Sequence, residues 1–219
     1  LANGILPLRE AVVADLHRRH GVEISPERVL VVPGGKVTMF FAMMMFGEPG
    51  GEIIYPNPGF PIYESVIGFS GATPVPMKLH ESKGFSFSAD EVLGLITPRT
   101  RLLILNSPAN PTGGVVPKSE LDRLAAGLAR FPDVAIMSDE IYGEMLYEGS
   151  HTSLATYPEI ADRLILLDGW SKTYAMTGWR LGYSVWPKAW AAEAERLAIN
   201  VHSCVNASAH YAGIAALTG

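Results

Sequence analysis

Short runs of Val, Ile and Leu alternate along the chain with longer stretches in which apolar residues recur every three or four positions. Gly, Pro or Asn marks most of the junctions. Leu6 to His20 carries Leu8, Val12, Val13 and Leu16 on one helical face, and Gly21 is placed to end that helix. Val29 to Val32 reads as a buried strand, and the apolar run Val37 to Phe46 predicts a helix buried on all sides. A strand follows at Glu52 to Tyr55, a helix at Ile62 to Phe69, and a strand at Pro74 to Leu79 before the turn Ser82-Lys83-Gly84. Helices are expected over Ala89 to Ile96 and Lys118 to Arg130, with strands at Arg101 to Asn106, Val134 to Ser138 and Arg163 to Asp168. Trp179 to Trp186 reads as extended and Ala189 to Ile199 as helical.

Near-continuous apolar strands separated by helices predict an α/β domain: a three-layer α/β/α arrangement whose mostly parallel central sheet is covered on both faces. Such sheets collect ligands at the carboxyl ends of their strands. No internal repeat, low-complexity tract or long linker divides the 219 residues, so one large domain is expected.

The formal charge of −5 is dispersed, and no run of Lys or Arg would neutralise a nucleic acid or an anionic membrane. The most apolar segment is about half the roughly 20 residues a membrane-spanning helix needs. Cys204 is the only cysteine, which rules out an intrachain disulfide and every thiolate metal motif. A cytoplasmic protein is the expectation. His17 and His20 share a helical face with Asp15, Arg18 and Arg19, which reads as solvated surface rather than as a metal site. No metal is expected.

Several chemically capable residues fall just after strands. Asp139 ends an apolar run, where a buried carboxylate would need a cationic partner; it could equally start a loop or cap the next segment. Gly34, Gly35 and Lys36 lie between a strand and a helix, so their backbone amides could cradle a phosphate. This is not a nucleotide P-loop, because Leu30 occupies the first glycine position and Val37 follows the lysine. Asn110 before Pro111 fits an ordinary turn, and Tyr142 and Phe60 fit ordinary packing. Their meaning depends on what they accompany.

The most specific cluster is Ser171 to Gly182, SKTYAMTGWRLG. It resembles the lysine motif of class I aminotransferases, in which an S-K pair precedes a G-x-R-x-G element. NSPANPTG at Asn106 to Gly113 resembles that family's N-x-P-x-N-P-T-G element, SDEIY at Ser138 to Tyr142 its Asp-x-x-Tyr element, and YPNPGFPIY at Tyr55 to Tyr63 its aromatic stacking loop. The motifs stand in the family's order and cover nearly the whole chain. The sequence is similar to the large domain of class I, fold type I aminotransferases that use pyridoxal 5′-phosphate, of the aspartate aminotransferase kind.

That resemblance implies roles. Lys172 matches the residue that carries the cofactor as a Schiff base, and Arg180 matches the partner of its phosphate, beside the amides of Gly34, Gly35 and Lys36. Asp139 matches the acid at the pyridine nitrogen, Asn110 and Tyr142 the donors to the ring's phenolic oxygen, and Phe60 the stacking aromatic. Many relatives have a serine phosphate ligand three residues before the lysine; here Gly169 stands there, and Ser171 either compensates or fills the turn before Lys172. Lys172, Asp139 and Tyr142 are the implied catalytic set. The implied activity, in amino acid metabolism, is transfer of an amino group between an amino acid and a 2-oxo acid, with aspartate or a broad range as substrate. A lyase or decarboxylase of the same fold, or a non-catalytic sensory domain of the kind fused to transcriptional regulators, are the alternatives. A homodimer is implied as well. Full-length relatives are longer, so residues 1–219 are expected to form the cofactor-binding large domain, with a small C-terminal domain and an N-terminal arm outside them.

Overall fold

In the computed structural model, which describes residues 2–219, the central feature is a seven-stranded sheet. Its strands are β1 (Val29–Val32), β2 (Glu52–Asn57), β3 (Thr73–Lys78), β4 (Thr100–Asn106), β5 (Ala135–Asp139), β6 (Leu164–Gly169) and β7 (Gly182–Val185). They lie in the order β1-β7-β6-β5-β4-β2-β3. Only β7 runs antiparallel, pairing with β1 on one side and β6 on the other. Asn106, Asp139 and Leu167 are in register, which brings three strand ends to one edge of the sheet.

Alternation along each strand feeds two layers. Leu102, Ile104, Met137 and Leu167 face α2 (Lys36–Phe46), α3 (Ile62–Ser70) and α6 (Lys188–Val201). On the reverse face, Leu103, Leu105 and Ile136 pack with α4 (Ala89–Leu95) and α5 (Lys118–Leu128), while Val29, Val31 and Leu166 pack with α1 (Leu6–His20) and α7 (Ala207–Thr218). Burial on both faces is why the strands read as continuous apolar runs. The exposed edge, β3, carries Pro74 and Pro76, which cannot donate to a further strand.

The structure departs from the sequence reading in four places. Trp179 to Trp186 is not extended throughout: Thr177–Trp179 forms a single helical turn, Arg180 adopts φ 52°, and only Gly182–Val185 is strand. The helix expected to be buried all round leaves Met44 36% exposed, because the sheet covers one side of it. Helix α7 had no amphipathic signal, since it docks through small residues: a Cβ at Gly213 would stand 2.6 Å from Leu181 Cδ2. Finally, the polar face of α1 is solvated only in part: His17 and Arg18 are exposed, but Asp15 and Arg19 are not. Asp15 is 5% exposed, and Arg19 reaches inward to Asp15 (2.8 Å), Asp168 (3.0 Å) and the Tyr183 hydroxyl (3.1 Å).

Candidate active site

The strand ends surround a cavity of about 370 Å³, within the range of small-ligand sites. Its walls include Gly35, Lys36, Phe60, Asn110, Asp139, Tyr142, Ser171, Lys172 and Arg180, with Met39, Asn106, Ile141, Leu167 and Thr177 between them. Every site residue expected from the sequence is therefore assembled here except Gly34, which lies immediately behind Arg180.

After β1 the chain turns at Gly34, whose φ of 90° suits glycine, and enters α2. Helix geometry leaves the amides of Gly35 and Lys36, at the start of α2, free of intrahelical partners, and both residues line the cavity, whereas the Val37 amide already donates to the Gly34 carbonyl. Arg180 completes this corner. Its Nη1 donates to the Thr177 carbonyl (2.9 Å) and its Nη2 to the Pro33 carbonyl (3.1 Å). The guanidinium lies so close that a Cβ on Gly34 would be 2.1 Å from Nη2. Arg180 itself takes the left-handed backbone conformation, a cost accepted where the side chain must turn back over the loop.

Asp139 closes β5 at 3% exposure. The Tyr63 hydroxyl donates to Oδ2 (2.8 Å) and the Ile141 amide to Oδ1 (3.3 Å). Burial raises this carboxyl to about 6; the two donors pull it down, and the nearby charges of Asp168 and Glu140 push it up again. The carboxylate is thus ionised at neutral pH yet under-compensated, the condition that favours a cationic partner. Asn106 fixes the neighbouring loop: its Nδ2 donates to the Asp139 carbonyl (3.0 Å) and its Oδ1 accepts the Asn110 amide (2.8 Å). Tyr63 and Asn106 were not assigned roles from sequence, although both lie inside the motifs. The offset of Tyr63 from Phe60, three residues along α3's first turn, was the available signal.

Lys172 Nζ stands 5.4 Å from the Tyr142 ring centre, and Lys36 Nζ is 5.0 Å from that of Phe60, which meets Tyr63 edge to face. Ser171 lines the cavity and accepts the Thr177 hydroxyl on its carbonyl (2.8 Å). The glycine at 169 has a steric reason: a Cβ there would lie 2.7 Å from Gly182 Cα, where β6 and β7 cross closely. Among the described residues, no group of three or more His, Cys, Asp or Glu could hold a metal, and no helix is long and apolar enough to cross a membrane.

The donor set fits pyridoxal phosphate. The corner at Gly34, Gly35 and Arg180 offers amides and a fixed cation to a phosphate, Asp139 offers a buried anion to a basic ring nitrogen, Asn110 and Tyr142 offer polar groups, and Lys172 offers the amine.

Comparison with known proteins gives the family. The model of the family described as aminotransferase class I and II matches residues 2–219. An arginine–pyruvate transaminase of Pseudomonas aeruginosa is 40% identical over 192 residues, covering 88% of this chain and 49% of its own length. An aspartate aminotransferase of Sulfolobus acidocaldarius is 35% identical over 217 residues, 98% of this chain and 54% of its own. Among solved structures, the Thermus thermophilus aspartate aminotransferase with maleate superposes with a TM-score of 0.94 at 34% identity, over 99% of this chain and 56% of that one. The chain spans about half the length of the curated relatives it matches.

Proposed function

The chain belongs to the class I and II aminotransferases, and from that premise we propose that its cavity holds pyridoxal 5′-phosphate and serves amino-group transfer between an amino acid and a 2-oxo acid. The convergence of Lys172, Asp139, Asn110, Tyr142 and Arg180 on one cavity is the observation that carries this reading. When bound, the cofactor would supply an electron sink for the charge left as the substrate α-proton departs. Lys172 would anchor it through Nζ and, once a substrate amine takes that place, carry the α-proton. Asp139 would keep the ring nitrogen cationic, since burial leaves its carboxylate short of partners. Tyr142 and Asn110 would donate to the ring oxygen and Phe60 would stack on the ring face. Arg180 and the amides of Gly35 and Lys36 would hold the phosphate, with Gly34 leaving room for the guanidinium. Ser171, on the same wall, would add a hydroxyl where Gly169 has none.

Residues 1–219 on this reading form the cofactor-binding large domain of a cytoplasmic homodimer. The exposed apolar side chains of Leu6, Trp179 and Tyr211 support a subunit contact. Aspartate, or a broader set of amino acids, is the proposed donor; the names of the relatives from Sulfolobus and Pseudomonas support both.

The test is to load the protein with pyridoxal phosphate, follow the visible absorbance, reduce with borohydride and map the peptides. The pyridoxyl group is expected on Lys172. A label on Lys36 or Lys188 instead would overturn the assignment.

A further inference from the structure

Immediately beneath the cavity, on the reverse face of the sheet, lies a buried acid–base pair that the proposed chemistry does not use. His151 Nε2 and Glu140 Oε2 are 2.9 Å apart, with side chains 6% and 5% exposed. The other oxygen of Glu140 accepts the Ser138 hydroxyl (2.8 Å) and the Leu154 amide (2.9 Å), so the carboxylate is held by three donors. Burial alone would raise its pKa, yet these donors and the His151 charge hold it below the ordinary carboxylate value. His151 responds in the opposite sense: burial lowers it, and Glu140 more than restores it, so the ring is raised above its usual value. The other charged and titratable groups facing it are Asp168 from β6 and Arg19 and His20 from α1, and Glu144 from the turn acts in turn on His20.

The pair brackets Tyr142. Glu140 precedes it by two residues, and its carbonyl accepts the Gly143 amide (2.8 Å) to close the turn. The edge of the His151 ring closes the space beside the following residue, since a Cβ on Gly143 would stand 3.0 Å from His151 Cδ2 and 3.5 Å from Nε2. One imidazole therefore bonds Glu140 ahead of the residue whose ring faces Lys172 and fills the space beside Gly143 after it.

We infer that His151 is a positioning residue for the Tyr142 hydroxyl, acting through Glu140 and Gly143 to fix the turn that presents it to the group held in the cavity. The inference rests on the reading that this group is pyridoxal phosphate. A hydroxyl that donates to the cofactor's ring oxygen lowers that oxygen's proton affinity, so misplacing Tyr142 raises the pH at which the bound chromophore changes its visible absorbance.

The experiment titrates that absorbance in the loaded protein and in His151→Ala, His151→Gln, Gly143→Ala and Tyr142→Phe. His151→Ala should move the midpoint upward by about one pH unit, the scale of one hydrogen bond to an ionised oxygen. His151→Gln, which keeps a donor for Glu140, should restore it even if thermal stability stays lower. Gly143→Ala, pressing a methyl on the same ring, should shift it in the same direction as His151→Ala. In a Tyr142→Phe background, His151→Ala should add no further shift. An unchanged midpoint in His151→Ala and Gly143→Ala, or a full additional shift on top of Tyr142→Phe, overturns the inference. A wild-type protein that develops no visible band with pyridoxal phosphate overturns the cofactor reading instead, and the inference with it.

Discussion

The Tyr63 hydroxyl donates to Asp139 Oδ2 over 2.8 Å, joining the first turn of α3 to the end of β5. Tyr63 is fully buried, and burial and the Asp139 charge raise its own pKa well above the ordinary value, so the hydroxyl keeps the proton it donates to the Asp139 carboxylate. It is one of only two donors to the Asp139 carboxylate among the described residues.

A pH dependence follows for the cofactor-free protein. Asp139 titrates at about 6 when folded and near 3.8 as a free side chain, so the native state keeps its proton over a range where the unfolded chain has released it. Stability should therefore fall as pH rises from about 4 to about 6 and then level off, this group contributing on the order of 3 kcal/mol. Tyr63→Phe removes a donor to the ionised form, raises the folded pKa further and carries the decline above pH 6. Asp139→Asn should remove this part of the decline. Urea denaturation at pH 4.5, 6 and 8 reads the stability term, and a Tyr63→Phe profile that coincides with wild type would contradict it.

Gly34→Ala tests the phosphate corner. The substitution asks alanine to adopt φ 90° and places its methyl 2.1 Å from Arg180 Nη2, so the guanidinium must leave. Affinity for pyridoxal phosphate should drop at least about tenfold, because a charge-assisted contact is lost. Pyridoxal without its phosphate should bind Lys172 as well as before. Absorbance titrations with the two ligands separate these outcomes, and equal losses for both would detach Gly34 and Arg180 from the phosphate.

Most of what assembles the cavity was legible in the sequence. Strands buried on both faces show as apolar runs, and Gly34, Asn110 and Asp139 sit where those runs stop, so both the sheet and its ligand edge could be placed. The illegible parts share a physical cause: their side chains act across the sequence. Tyr63 looks like one more packed aromatic until Asp139 arrives from 76 residues away. Arg180 leaves the extended path because the Pro33 carbonyl, on another strand's end, captures its guanidinium. The packed face of α7 includes Ala209, His210 and Gly213 beside Ile214 and Leu217, and Gly213 counts through its close approach to Trp170 and Leu181, which carries no hydrophobic contrast. His151 and Glu140 are ordinary loop residues until the chain folds them into contact.

Arg19 is the clearest instance of a charged residue read as surface that instead holds the interior together. Its guanidinium bridges Asp15 on its own helix, Asp168 at the end of β6 and Glu144 in the turn after Tyr142, at 2.8, 3.0 and 3.4 Å. Burial raises the Asp168 carboxyl to about 6, with Arg19 the largest force opposing that rise. Replacing Arg19 with Met keeps the apolar stem but leaves the buried Asp168 without its cation, while Asp15 retains Arg18, and should cost about 3–5 kcal/mol of stability. Without Arg19 the Asp168 pKa climbs further, so the native state holds that proton to higher pH while the unfolded chain releases it near 4. The deficit relative to wild type should consequently be smaller at pH 5 than at pH 8. Asp168→Asn in the same chain removes that stranded charge, and Arg19→Met added to it should cost clearly less than Arg19→Met alone. Guanidinium chloride unfolding of the four proteins at both pH values measures the coupling. Additive costs with no pH dependence would mean that Arg19 and Asp168 do not act as a pair.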